Sequence, residues 1–430
     1  MATTYLTRTP SSGAATQKAT FSFWVKKTNI TGTPNLFRMY TNSTQYVRIR
    51  FESSNKISFI IINSDSYVVQ LISTQVFRDT SAWYNIVCNM DTTQATASDR
   101  AKIYINGERI TAYDTAVYPP TQDANIIVTP SGTANVIGTQ IGDSASYFEG
   151  CMSHINFTDG YVYQASEFGE TDSTTGEWKI KTSPSVTYGT NGFFILKDGN
   201  SVTDQSGNSN NFTVAGGTLT KTEDCPDNVF CTLNPLGHAS ANFTLIEGSL
   251  YSGGADNNWR SIFGTIGSSS GKYYYEMKVI GHNNEHVGIA SADQIAHCSD
   301  SSGKFTDNSF GAEGYSYTSG GQKANNGSEV SWGNSYTTND IIGVAFDLDN
   351  SKLYFSKNGT WQESGDPTSG ATGTGAAYTL VANKIYLPAM ASYNAASNMA
   401  FNFGNGYFRT TAISSAGTNA SGNGIFEYDV

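Results

Sequence analysis

The sequence predicts an all-β chain: two antiparallel β-sandwich (jelly-roll type) domains in tandem. Three observations predict it. Apolar and polar residues alternate at period two through many short runs. Asn-Gly pairs sit between such runs, where a two-residue hairpin turn needs positive φ at both positions. The composition is charge-poor at 14%, with 43 glycines and an aromatic share of 13%, a mix that suits pleated sheets and tight turns rather than helices.

The elements follow in order. Thr20 to Val25 reads T-F-S-F-W-V and places Phe21, Phe23 and Val25 on one face of a strand. Lys56 to Ile62 (K-I-S-F-I-I-I) is apolar enough to be buried on both faces. Lys102 to Ile110 contains two strands around Asn106-Gly107, and Lys352 to Trp361 repeats the device around Asn358-Gly359. The polar, turn-rich stretch Gly199 to Leu219 reads as the closing edge of the first domain. These signals divide the chain into a first sandwich at 3–219, a linker at 220–241, a second sandwich at 242–408 and a Ser/Gly/Asn-rich tail at 409–430. No amphipathic pattern supports a helix longer than about two turns.

The net charge is −11 and the sequence pI about 4.9, with Lys26-Lys27 as the densest basic cluster. A nucleic-acid footprint needs a clustered basic face, so a phosphate-backbone partner is excluded. No apolar run approaches the ~20 residues that span a bilayer. The start, Met1 to Tyr5, lacks the charged and apolar regions of a secretory leader, and the five cysteines are an odd number. Reduced, mostly buried thiols made in a cytosol are therefore expected. Cys225 and Cys231, five residues apart, leave pairing or metal binding open.

Particular motifs carry a family resemblance. Tyr5 to Ser12, Phe21 to Lys26, Trp83-Tyr84-Asn85-Ile86-Val87, Asp99 to Gly107 and Phe148 to Ile155 together resemble a laminin-G-like, concanavalin A-like jelly roll over roughly residues 3–215. This version, with Phe168 to Thr171 and Tyr188 to Phe193, is similar to domains encoded by marine bacteriophages. In the second half, Gly271 to Glu276, His286 to Ala290, Asn339 to Asp349 and Leu387 to Met390 resemble the core strands of a SPRY domain over about residues 242–404.

Hydrolases among concanavalin A-like proteins carry paired carboxylates on one strand, because acid and nucleophile must stand ~5 Å apart across the glycosidic bond. No E-x-D-x-x-E run occurs. The nearest pairs, Asp347/Asp349 and Glu170/Asp172, read as strand-end and turn acids. His282 and His286 are four apart, but in a turn leading into a strand rather than on a helix, so a metal pair is not expected. The resemblance leaves a Ca²⁺ site open at a loop rim, with Asn63, Asp65 and Asp143 as candidate oxygen ligands; polar loops without metal are the plainer reading.

SPRY domains make a shallow pocket from loops at one end of the sandwich. By position, the resemblance implies one loop with Tyr251, Asp256, Asn257, Asn258, Trp259 and Arg260, and another with Tyr393 and Asn394. Where many relatives carry a Trp in the second loop, Tyr393 stands nearby. Tyr and Trp suit recognition because each offers a rigid apolar face with a polar handle. Against this, Trp259 and Trp332 could simply cap the core.

The reading that results is a non-enzymatic phage virion protein, a tail fibre or head appendage that recognises host-surface glycan or protein. A capsid or tail decoration protein, binding mainly other virion proteins, is the alternative. Its place is the virion, after synthesis in the bacterial cytoplasm, as a homo-oligomer, expected to be a trimer.

Overall fold

The computed structural model describes residues 3–129, 131–140, 146–236, 244–253, 257–298, 303–393, 395–414 and 423–428. The chain is nearly all β and antiparallel, and it divides into two compact units. The first takes Met1–Lys221 with Cys225–Val229; the second takes Thr222–Asp224 with Phe230–Val430.

The first unit stacks an eight-stranded sheet on a six-stranded one. The larger sheet runs in spatial order Tyr113–Val117, Ser66–Val76, Lys56–Asn63, Gln45–Phe51, Asn35–Asn42, Asn135–Ile137, Tyr5–Arg8 and Thr213–Gly216. The smaller runs Glu108–Arg109, Ala101–Ile105, Trp83–Asp91, Lys18–Lys27, Gly150–Asp159 and Phe193–Ile195. The alternation read from Thr20 to Val25 holds: Phe21, Phe23 and Val25 all enter the core between the sheets, with Phe37, Ile49, Phe59, Ile86 and Phe157. Phe21 stacks on Phe157 at 4.7 Å and meets Phe37 at 5.0 Å, geometries that add to area burial.

The second unit repeats the plan. One sheet is ordered Thr244–Ile246, Tyr251–Gly253, Asn398–Asn402, Lys272–Gly281, Ile341–Asp347, Lys352–Lys357 and Thr360–Trp361, with Tyr378–Thr379 beside Lys352–Lys357. The other is ordered Arg260–Phe263, Tyr386–Ser392, Glu285–Ser291, Gly314–Thr318, Gln322–Asn325 and Ser328–Ser331. Met277, Val287, Ile289, Ile342, Val344, Phe355, Met390 and Phe401 fill the space between them. Its α-helix, Ala292–Cys298, is two turns long, within the limit set by the sequence pattern.

Both Asn-Gly turns form, and both asparagines have the same second task. Asn106 and Gly107 have φ of 48° and 86°; Asn358 and Gly359 have 51° and 77°. The Asn106 backbone N–H donates to Asn85 O at 2.9 Å, and its Oδ1 accepts from Asn85 N at 2.8 Å. Asn358 makes the same reciprocal pair with Ile341, at 2.7 and 2.8 Å. Each turn residue thus also pairs with the backbone of the neighbouring strand.

Lys26 and Lys27, the densest basic pair of the sequence, are buried, at 0% and 2% exposed. Lys27 donates to Asn55 Oδ1 and lies over the Phe51 ring at 4.6 Å; burial, with Arg78 nearby, lowers its pKa to about 8. The segment read as a linker contributes Leu233, 2% exposed, to the second core, because an apolar side chain there gains more by burial than a tether would. The segment read as a tail is built into the second unit where it is described. Thr411–Ala412 pairs with Tyr407–Phe408, Ile425 bridges Asn405, and Phe426 is buried beside Tyr274. Its composition concealed the few apolar residues that anchor it.

Candidate functional site

The site is assembled by strand register. In the second unit Arg260 pairs with Ser392 and Ser261 with Ala391, so Trp259 and Tyr393, one residue beyond each strand, meet at the same sheet end. Their ring centroids are 5.6 Å apart. The adjoining strand aligns His286 with Ala391, and the edge of the imidazole meets Trp259 at 4.9 Å with the planes at 83°. Lys304 Nζ lies 5.2 Å over the Trp259 ring, a cation–π contact. The same ammonium pairs with Glu329 and lies 3.8 Å from Asp307.

The site is anchored from below. Phe263, Ala290, Phe305, Phe310, Ala389 and Ala391 form a small apolar cluster, separate from the main core, against which Trp259 and Ile295 pack. Trp259 is half-buried by this cluster, whereas Tyr393 remains 38% exposed. Trp332 is different: it packs on the main core, edge-on to Tyr317 at 5.6 Å and Phe355 at 6.0 Å, and is a core cap.

His286 is buried, accepts or donates with Ser316 Oγ at 3.1 Å, and has Glu329 at 3.9 Å. Burial, then the Lys304 charge, pushes its pKa down to about 3, so the ring is neutral through the physiological range. It braces Trp259 through their perpendicular ring contact. His282 instead pairs with Glu285 at 2.8 Å. The two histidines therefore have separate partners, and among the described residues no group of three His, Cys, Asp or Glu side chains gathers as for a metal ion.

Of the residues expected in the pocket loops, the structure brings together Trp259 and Tyr393, with Arg260 as a strand residue beside them and Asn257 and Asn258 exposed next to Trp259. Asp256 and Asn394 lie outside the described residues. Tyr251 does not join them. It sits in the opposite sheet, paired with Ala400, its ring under the Arg409 guanidinium at 4.4 Å and packed near Ile341 and Phe408. The chain changes sheets between Gly253 and Arg260, so residues close in sequence are parted. Lys304, Glu329 and His286 were not read as site residues, since strand register brings His286 and Glu329 near Trp259 and a distant loop, bonded through Gly303 N to Trp259 O, brings Lys304.

Of the Ca²⁺ candidates, Asn63 and Asp65 belong to one hairpin. Asn63 pairs with Ser66 across a hairpin whose turn residues, Ser64 and Asp65, have φ of 50° and 62°. This is the two-residue turn that twisted strands favour, and Asp65 is exposed at its tip. Asp143 lies outside the described residues. Of the carboxylates weighed above, Asp347 holds a turn, accepting from Asn350 N and Nδ2 at 3.0 and 2.8 Å, and Asp349 accepts from Gly271 N at 2.8 Å on the neighbouring chain segment. Asp172 accepts from the N–H groups of Thr174 and Thr175, each at 2.8 Å, and pairs with Lys179 at 2.7 Å. Those donors hold its carboxyl well below the usual range. No described helix is long and apolar enough to cross a membrane.

The chain is thus a tandem of antiparallel β-sandwiches with an aromatic pair at a strand end of the second. The chain carries a concanavalin A-like domain followed by a SPRY domain: residues 2–167 match the Laminin_G_3 model of the concanavalin A-like lectin/glucanases superfamily, and residues 272–406 match the SPRY domain. Among curated proteins, an ATP-dependent RNA helicase, DDX1 of Xenopus laevis, is 28% identical over 127 residues, 30% of this chain. This chain spans 16% of that protein's length. Among solved structures, the SPRY domain of human HERC1 is similar at 17% identity, covering 37% of this chain and 91% of that one, with a TM-score of 0.29. The heptameric SAP-like pentraxin of Limulus polyphemus is similar at 15% identity, over 37% of this chain and 71% of that one, with a TM-score of 0.28.

Proposed function

We propose that the chain is a non-enzymatic recognition protein on the outside of a bacteriophage particle, as tail fibre or head appendage, and that it reads host-surface glycan or protein with the Trp259–Tyr393 face. One observation carries the binding part. Two aromatic rings stand 5.6 Å apart at a strand end, one backed by its own apolar cluster and the other 38% exposed, with Lys304 and Glu329 at the border. A rigid apolar face edged by a cation and a carboxylate suits a sugar ring or a side chain with polar margins.

The lectin and glucanase names of the first family point to sugars as ligands. The non-enzymatic part is supported by Asp347 and Asp172, one member of each carboxylate pair, which are engaged in turns. The particle setting is supported by the resemblance of the first half to marine-phage domains and by a charge-poor composition. Other virion proteins are then partners, and the protein works as a homo-oligomer.

The test is a glycan array and whole-cell binding with the full chain, with Tyr393→Ala in parallel. Saturable binding that the substitution removes supports the reading. Binding confined to capsid or tail proteins overturns host recognition in favour of decoration, and release of reducing sugar overturns the non-enzymatic reading.

A further inference from the structure

A second face, in the first unit, is built around arginines that lack anions. In the eight-stranded sheet, Val47, Ile49 and Phe51 point into the core, so Tyr46, Arg48 and Arg50 occupy the opposite face of their strand. Likewise Phe37 and Met39 point inward, and Arg38 and Tyr40 outward. Register then aligns Arg38 with Arg48 and Tyr40 with Tyr46. Like charges directly opposite on neighbouring strands destabilise a sheet. A protein of net charge −11 has acids to spare, yet none is placed between them.

Arg38 is 7% exposed, and among the described residues its guanidinium has no hydrogen-bond or ion-pair partner. It lies over the Tyr40 ring at 4.2 Å and near the Tyr46 ring at 5.5 Å. Arg48 lies 5.6 Å from the Tyr46 ring, and its Nε is also buried without a partner. The nearby acid is Glu52, which is taken: it holds Arg50 through two hydrogen bonds of 3.0 and 2.7 Å and accepts from Ser58 Oγ at 2.7 Å. Burial, then Arg48, lowers the Arg38 pKa to about 10, which leaves it charged at neutral pH. A buried cation that keeps its charge without a counter-ion is costly, and an anion brought to it would offset that cost.

The surroundings describe the missing group. Two guanidinium forks side by side match a planar oxyanion, and a carboxylate above all. Tyr40 and Tyr67, 45% and 48% exposed, border the arginines with flat rings, and Ile60 and Ile62 on the neighbouring strand give an apolar floor. We propose that this face binds a carboxylate-bearing saccharide, its carboxylate clamped by Arg38 and Arg48 and its ring lying on the tyrosines.

The experiment is calorimetric titration of the full chain with an oligogalacturonate, with the neutral oligogalactose of equal length, with its sulfated form and with inorganic sulfate. The expected result is saturable binding of the uronate alone. Arg48→Gln weakens it at least tenfold while raising the melting temperature of the first unit by about 2 °C, because the opposed charges are parted. Arg48→Lys keeps the charge, loses the fork and also weakens binding. Tyr393→Ala, in the other unit, leaves it unchanged, so this site and the Trp259–Tyr393 face fail or stand independently. Equal binding of the neutral sugar, full binding by Arg48→Gln, or a preference for sulfated sugar or free sulfate each overturns the assignment.

Discussion

The carboxylate of Glu276, wholly buried in the second sandwich, accepts the backbone N–H of Tyr428 at 2.9 Å. It also accepts from Glu427 N at 3.0 Å, Asn402 Nδ2 at 3.1 Å and the Tyr274 hydroxyl at 3.1 Å. One side chain on a central strand thus holds a segment 150 residues further along the chain. Desolvation outweighs these four donors and raises its pKa.

Glu276→Gln replaces one acceptor oxygen with a donor that faces N–H groups. The expected cost is about 2 kcal/mol in the second unit, read by chemical denaturation. The pH response separates this from a packing defect. With the folded pKa raised, the stabilisation from Glu276 is complete below the ordinary Glu pKa and declines as pH rises through the folded value. The difference in stability between wild type and Glu276→Gln should therefore widen as pH is lowered through that interval. A constant difference would mean that the carboxyl does not titrate in this way.

His286 gives the opposite slope. Its folded pKa, about 3, lies below the unfolded value, so its contribution is full above about 6.5 and falls away as the solution is acidified towards pH 3. Between those limits it adds a slope of up to about 1.4 kcal/mol per pH unit. His286→Gln should flatten the acid limb of the stability curve. Ligand binding by the Trp259 face should not change between pH 6 and 8 on its account.

Trp259 and Tyr393 touch but differ in what lies beneath them. Trp259→Ala opens the small cluster around Phe263 and Phe305, and should cost about 2 kcal/mol of stability as well as binding. Tyr393→Ala should cost under about 1 kcal/mol of stability and weaken ligand about tenfold. Calorimetric melting beside a binding titration reads both. Equal losses of stability would show that Tyr393 is structural.

Asn358→Gly keeps a residue able to hold φ of 51° but removes the Oδ1 that accepts from Ile341 N. The loss should be about 1–2 kcal/mol, with slower refolding of the second unit if this hairpin forms early. Asn106→Gly should behave alike in the first unit, through Asn85. Paired urea titrations check both.

The strands were legible because their information is local. Phe21-x-Phe23-x-Val25 names its buried face, and Asn106-Gly107 and Asn358-Gly359 name their turns, without reference to any other segment. The site was legible only in part. Trp259 and Tyr393 stood out as aromatics beside strand ends, but Glu329 lies five strand pairings across the sheet from the Arg260–Phe263 strand, and Lys304 sits in a loop tied to Trp259 O by Gly303 N, relations that no local pattern encodes. Tyr251 was misplaced for the same reason, since proximity along the chain hid a change of sheet. The alternation Tyr46-x-Arg48-x-Arg50 was visible in the sequence, but the opposition of Arg48 to Arg38 needs the register. The anchoring of residues 423–428 was masked by a composition that reads as loose chain.

The strand Tyr5–Arg8 has Thr213–Gly216 as its neighbour on one side, with Thr7 and Thr213 directly opposed. A ribosome must therefore release more than two hundred residues before the first sheet can acquire its last strand. Until then one edge of Tyr5–Arg8 presents unpaired N–H and C=O groups, a template on which a strand of another nascent copy can pair.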